Sequence, residues 1–271
     1  MQAILSAIPL ATGQVIVFSD ATAMYDKGAL RAFSRNFADG EVGGVSGTLT
    51  LTGGDGATLK VGEGAYWKYE TLLRRLESAT GSTIIAPGSI YAIRRSLFAP
   101  PPPDTIADDF AVTLGIIEQG YRMVWDEGAA ATERVSMTFS EEYERKVRIV
   151  AGGIQTLLRF RHLMAPSRGL TAVKLISHKL LRWLVPIAML GSVAANCFLL
   201  PAGYVYRAFM LLQVLFYVLA AAGYGLERRG VSSPLPALVF HFCAINLAAI
   251  EGWYRQATHS QPVKWTKSGR R

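Results

Sequence analysis

The sequence predicts an α/β domain followed by C-terminal helices that enter or lie on a membrane, and three observations carry that prediction. Residues 1–150 alternate helix-like and strand-like hydrophobic patterns. The 271-residue chain is 51% hydrophobic with a mean hydropathy of +0.25, too apolar for an average water-soluble domain. Acidic residues, frequent up to residue 150, then dwindle to Glu227 and Glu251, while the net charge of +8 concentrates in the second half.

The elements follow in order. Residues 3–11 read as an apolar helix, VIVFS (15–19) as a buried strand, 27–37 as a helix, and VGGVSG (42–47) as a strand with tight turns. GGDGAT (53–58) is a turn cluster, and 63–78 is an amphipathic helix ended by Gly81. SIYAIRR (89–95) reads as a strand, and the rigid proline loop 100–105 delivers the chain to IADDF (106–110). A helix over 108–120 ends on Gly120, and YRMVWDEGAAATE (121–133) follows with no element assigned to it. A helix over 140–160 opens on Ser140 with acids in its first turn and is expected to break near Gly152–Gly153. The domain reading is therefore an α/β unit over 1–150, amphipathic interface helices over 151–182, apolar segments at about 183–200, 208–226 and 235–254, and a basic tail over 255–271.

Within 174–186, bases alternate with apolar residues, as in a helix lying at a membrane surface before entering it. Lys174, Lys179 and Arg182 put the start of the first span inside, and Arg228–Arg229 put the 227–233 loop inside. Three full spans would leave the basic tail outside. The third segment, with His241, Asn246 and Glu251, is therefore open to a re-entrant or interfacial reading. The isoelectric point of about 9.6 does not signal nucleic acid, because the bases flank apolar stretches instead of interleaving with exposed aromatics. Two cysteines, Cys197 and Cys243, lie in apolar segments and form no metal spacing. Met1 opens no secretory signal, which places the α/β part in the cytoplasm.

Four segments can carry chemistry. FSDAT (18–22) ends a strand on Asp20, where a carboxylate can hold a divalent cation or simply start a turn. In IADDF, helix capping accounts for one acid, leaving the other to accept a proton from an attacking hydroxyl. Arg145 and Arg148 share a helix face, suited either to gripping phosphate or to facing water. The aromatic stretch 66–82 with PGSIYAIRR (87–95), including Gly88 and Tyr91, can stack on a sugar or pack a core.

In this order and spacing the four segments resemble the membrane-embedded family 2 inverting glycosyltransferases, the group of cellulose, hyaluronan and poly-N-acetylglucosamine synthases, over nearly the whole chain. The family's Asp-X-Asp motif aligns Asp20 with its first acid and Thr22 with its second. Its Thr-Glu-Asp motif aligns with Ala107-Asp108-Asp109, implying Asp109 as catalytic base and Asp108 in support. Its Gln/Arg-X-X-Arg-Trp motif aligns with Arg145-Lys146-Val147-Arg148-Ile149, followed by Gly152 and Gln155. Ile149 there replaces a ring that stacks on the acceptor, which favours a shorter or different acceptor. SHKLLRWLVP (177–186) and KWTKSGRR (264–271) resemble the group's membrane entry and tail.

The resemblance implies a partial GT-A (Rossmann-like) sheet and a divalent cation, Mg or Mn, at Asp20. It also implies a nucleotide-sugar donor, such as a UDP-sugar, whose diphosphate and acceptor contact Arg145, Arg148, Gln155, Gly88 and Tyr91. The acceptor is a glycan or lipid-linked sugar, and the protein a multi-pass one of a bacterial inner membrane. Relatives carry about a hundred residues before the strand ending at Asp20, so a truncated frame, a split gene or a fragment is expected. A non-catalytic remnant or partner subunit is the rival reading, and a small transporter or scaffold leaves the DD and RxxR spacing unexplained.

Overall fold

The fold is a computed structural model that describes residues 2–52, 57–134, 138–231 and 233–263. Elements run α1 (Gln2–Ala7), β1 (Val15–Ser19), β2 (Ala23–Tyr25), α2 (Ala29–Asn36), β3 (Val42–Thr52), α3 (Ala57–Ala79), β4 (Ile90–Arg94), α4 (Asp108–Glu118) and β5 (Arg122–Arg134). There follow α5 (Phe139–Arg159), α6 (Leu170–Lys174), a π-helical turn (Leu175–Leu180), α7 (Leu181–Leu199), α8 (Tyr204–Arg228) and α9 (Pro234–Ala257).

The five strands form one mixed sheet in the order β1-β4-β3-β5-β2. β4 runs antiparallel to both β1 and β3, β3 and β5 are parallel, and β2 is antiparallel to β5. On one side of the sheet Phe18, Tyr91, Ile93 and Met123 join α4 (Phe110, Leu114, Ile116) and α5 (Val150, Ile154, Leu157) in a single buried cluster. The other cluster sets Phe33 of α2 against Val45, Ile90 and Ala131.

The expected positions of β1, β4 and α4 hold to within a residue or two. The first helix is shorter, ending at Ala7 before a 3-10 turn, and Gly81 and Gly120 end α3 and α4 with positive φ (+117° and +88°). Other expectations are corrected. The 42–47 strand does not turn but runs on to Thr52, and its glycines answer to crowding: a Cβ on Gly47 would lie 2.5 Å from the Ala129 carbonyl. β5 is a thirteen-residue strand where no element was expected. Its acids and alanines hide the period, because Asp126 is paired with Arg35 (2.7 Å) and accepts a hydrogen bond from the Asn36 amide (2.6 Å) while Ala129 and Ala131 pack against β3. α5 does not break at Gly152–Gly153, where the missing side chains admit Ile106 on one side and Trp183 on the other. Nor does Ser140 cap it: Thr138 and Glu141 form a reciprocal capping box. Residues 53–56 of the expected turn cluster and the 264–271 tail lie outside the described residues.

Leu170–Ala202, Tyr204–Arg228 and Pro234–Ala257 are each long and apolar enough to cross a membrane. The third differs from the others in its packing: 44% of its most apolar window is buried, against 17% and 6%. Trp253 of α9 donates to the Trp183 carbonyl (3.0 Å), Gly252 lies on Val150 of α5, and Phe240 rests on Phe139. The bases of 174–186, read as those of a helix lying at a membrane surface, instead face the protein, with Lys179 only 6% exposed and Lys174 and Arg182 bonded to α3 and its C-terminal loop.

Candidate functional site

The site forms where β1, β4, α4 and α5 converge. Asp20 follows the last residue of β1 and is exposed, at the carboxyl end where open α/β sheets receive ligands. The Tyr25 hydroxyl gathers the Phe18 carbonyl (3.0 Å) and the Ser89 carbonyl (3.2 Å), so the end of β1 and the start of β4 are tied together beside it. Tyr91 stacks on Phe18 with centroids 4.5 Å apart and planes 3° from parallel. Its ring is thereby packed, and what it presents is its hydroxyl. Burial, then Asp109, Asp108 and Asp20, push that hydroxyl well above its ordinary value, which places it in the field of all three acids.

Asp108 and Asp109 open α4, the helix end where backbone N–H groups are unsatisfied and a negative charge is favoured. Neither makes the expected side-chain cap. Asp108 accepts from the Asp109 N–H (3.0 Å) and Asp109 from the Phe110 N–H (2.7 Å), so each leaves an oxygen for other partners. Asp109 is half-buried, and burial first, then the neighbouring Asp108, push its carboxyl up to about 6 against the opposing pull of Arg148. Gly88 passes directly over it: a Cβ there would stand 3.2 Å from Asp109 Oδ2.

α5 supplies the positive side. Arg148 is half-buried, and burial lowers its guanidinium while Asp109 and Asp108 oppose that shift, with Arg145 and Asp20 also in range. Arg145 is held by Glu142 (2.8 Å), which also binds Lys146 (3.0 Å). Gln155 stands apart from this cluster. It accepts from the Ile106 N–H (3.1 Å) and donates to the Asp104 carbonyl (3.0 Å), fixing the loop that delivers Asp108 and Asp109. Arg159 adds bonds to Thr105 (2.7 Å) and Asp104 (2.5 Å). The structure thus brings Asp20, Gly88, Tyr91, Asp108, Asp109, Arg145 and Arg148 together, with Gln155 one shell behind.

Three contributors escaped the sequence reading. Glu142 had a signal, its spacing of three and four from Arg145 and Lys146. Tyr25 had none, and neither had the pairing of Thr22 with Glu133 (2.6 Å), which brings a carboxylate from β5 to the residue aligned with the second acid of the Asp-X-Asp motif. Among the described residues no three His, Cys, Asp or Glu side chains cluster closely enough to cage a metal. Asp20 is an exposed carboxylate just past the end of β1, and it would fit a hard cation only with a ligand's phosphates completing the coordination.

Among solved structures the chain is similar to a mannosyltransferase from Pyrobaculum calidifontis in complex with GDP-mannose and Mn2+, with a TM-score of 0.66 and 20% identity over 96% of this chain and 67% of that one. At that identity the likeness establishes the GT-A-like fold. A search of curated protein sequences finds no match. The sequence model of glycosyl transferase family group 2 matches residues 15–226, a stretch that runs from the first strand of the sheet through the candidate site and nearly to the end of α8. With the acid pair on α4 and the arginines on α5 inside that stretch, the chain belongs to glycosyl transferase family group 2.

Proposed function

We propose that the chain transfers a sugar from a nucleotide-sugar donor to an acceptor hydroxyl with inversion at the anomeric carbon, and that Asp109 is the base. The observation that supports this reading most directly is the state of Asp109, a half-buried carboxyl raised to about 6, facing Arg148 and beside Asp20. A base near that value is ionised at neutral pH yet accepts a proton more readily than a free aspartate. As the acceptor oxygen bonds to the anomeric carbon, the bond from that carbon to the diphosphate breaks. The hydroxyl proton passes to Asp109, and the charge leaves on the nucleoside diphosphate. Arg148 and Arg145 meet that charge, with Asp108 holding the first turn of α4. A divalent cation at Asp20, Mg or Mn, would neutralise the donor diphosphate.

The finer assignments belong to the same proposal. The donor is a GDP- or UDP-sugar: the similar mannosyltransferase is complexed with GDP-mannose, and the motif resemblance points to UDP. The acceptor is a membrane-associated glycan or lipid-linked sugar, reached from the cytoplasmic face of a multi-pass protein of the cellulose and hyaluronan synthase-like group. Ile149, 41% exposed one residue beyond Arg148, offers no ring for a long glycan to stack on, which favours a short acceptor.

The test is turnover by the full chain in lipid nanodiscs, with GDP-mannose and UDP-sugars and with Mn2+ or Mg2+. Asp109→Asn is expected to lower transfer by roughly 10²- to 10⁴-fold while donor affinity measured by calorimetry stays unchanged, since a base acts only in the chemical step. Retained turnover in that variant would sink the assignment. A second reading, a subunit contributing this site to a complex with a separate nucleotide-binding chain, draws on the greater length of the similar structure, of which 67% is covered. Tight, metal-dependent donor binding by this chain alone decides against it.

A further inference from the structure

The membrane-entry helix reaches the loop over the acid pair through two side chains. Lys174, the last residue of α6, donates to the carbonyls of Glu77 (2.8 Å), Thr80 (3.2 Å) and Ser82 (2.9 Å). These carbonyls belong to the last turn of α3 and the loop after it, where helix carbonyls run out of intrahelical partners; the Glu77 carbonyl also accepts from Thr80. Four residues later His178, 6% exposed, places Nδ1 2.7 Å from Glu77 Oε1 and Nε2 3.4 Å from Glu70. The other oxygen of Glu77 does not face the helix at all. It accepts from the Thr83 hydroxyl and from the Ile84 N–H, both at 3.1 Å, so one carboxylate joins the membrane-entry helix to the loop backbone.

The loop continues from Ile84 and Ala86, both fully buried, through Pro87 to Gly88, whose backbone covers Asp109. Its far side is pinned to β5, where Thr83 N–H donates to the Met123 carbonyl (2.7 Å) and Met123 N–H to the Ser82 hydroxyl (2.9 Å). Lys174 and His178 flank or occupy the π-helical turn at 175–180, a widening of the helix that recurs at functional positions. Arg182, one further step of four along, bonds to Glu70 and lies over the Tyr69 ring, fixing the same face of the helix on α3.

We propose that Lys174 and His178 are positioning residues: through the carbonyls that end α3 and the Glu77 carboxylate they hold the 80–88 loop, and with it Gly88, against Asp109, so that the site is complete only while the helix beginning at Leu170 is docked on α3. Neither residue touches the acid pair. Both act by restricting the loop, and a displacement of about 1 Å at a reacting centre costs on the order of a hundredfold in rate. The effect on turnover rests on the glycosyl-transfer reading above; the tether itself does not.

The experiment pairs hydrogen exchange with kinetics on the full chain in nanodiscs, comparing wild type, Lys174→Met, His178→Ala and Lys174→Arg, with GDP-mannose and Mn2+ as probe. Lys174→Met and His178→Ala are expected to lose roughly tenfold protection in peptides covering 80–89, while β3 peptides keep theirs. Their kcat falls roughly ten- to a hundredfold with donor KM unchanged, and Lys174→Arg, which keeps the charge and the donors, retains most of the rate. Unchanged exchange over 80–89, or a loss spread evenly across β3 and α4, overturns the proposal, as does a rise in KM with kcat intact. If the wild-type chain turns over no donor, the glycosyl-transfer reading fails and the exchange result alone decides the tether. Should His178→Ala not fold, Lys174→Met carries the same comparison.

Discussion

Asp108 and Asp109 are neighbours in the chain but not equivalents in the site. Both accept a backbone N–H at the start of α4 and both lie in the field of Arg148, and burial raises the Asp109 carboxyl to about 6. Two adjacent carboxylates whose surroundings differ are the arrangement by which a site keeps one acid as a base and the other as a fixed charge. The sign of the pH dependence follows. Asp109 must be ionised to accept a proton, so kcat is expected to fall as pH drops through about 6. Asp108→Asn removes a charge that raises Asp109 and so moves that acid limb to lower pH; a pH–rate profile in which the limb stays in place or moves up argues against Asp109 as the base. At this scale the acid pair and the two arginines were legible because their residue types and spacing carry a motif. Tyr25 and Glu133 were not, since the contacts that bring them in span 7 to 111 positions along the chain and leave no local pattern.

α5 ties the arginines to the acid pair. One face presents Arg145 and Arg148, while Gln155 and Arg159 hold the 104–106 loop that sets α4 in place. Its paired glycines looked like a break because glycine weakens an isolated helix, but here they are points of close approach. A Cβ on Gly153 would stand 2.2 Å from the Trp183 ring, and one on Gly152 2.7 Å from Ile106. Gly153→Ala is therefore expected to lower stability by about 1–3 kcal/mol despite alanine's better helix propensity. Gly115→Ala in α4, where nothing lies within 4 Å, is expected to raise it by about 0.5–1 kcal/mol. Thermal unfolding of the two variants in one detergent reads the contrast, and shifts of the same sign would contradict this packing. β5 stayed hidden for a related reason: its Asp126 is paired with Arg35 of α2, its Arg122 with Asp39, and its alanines fit a crowded strand, so none shows the alternation a half-buried strand displays.

In the whole molecule, α9 is the helix whose place the sequence left open, and its contacts favour one answer. Phe240 near its start rests on Phe139 and Trp253 near its end bonds to Trp183, while Glu144 and Glu251 both bind Arg255. A helix held at both ends by the α/β body and the base of α7 lies along that body, which supports an interfacial position and returns Arg255 to the side of Arg228 and Arg229. In a background of Cys197→Ser and Cys243→Ala, an impermeant maleimide is expected to modify Val231→Cys and Ser260→Cys from the same face of the membrane. Labelling from opposite faces would show that α9 crosses.

The seat of Trp183 on Gly153, with the Trp253 indole bonded to its carbonyl, gives the protein a reporter that needs neither substrate nor label. The two rings mark the seam between the catalytic body and the helices that follow it. Loosening that seam during extraction from lipid exposes them to water, and tryptophan emission shifts to longer wavelength when that happens. With Trp67, Trp125 and Trp265 replaced by phenylalanine, a detergent that leaves the spectrum where it stood in the bilayer is one in which body and helices are still joined.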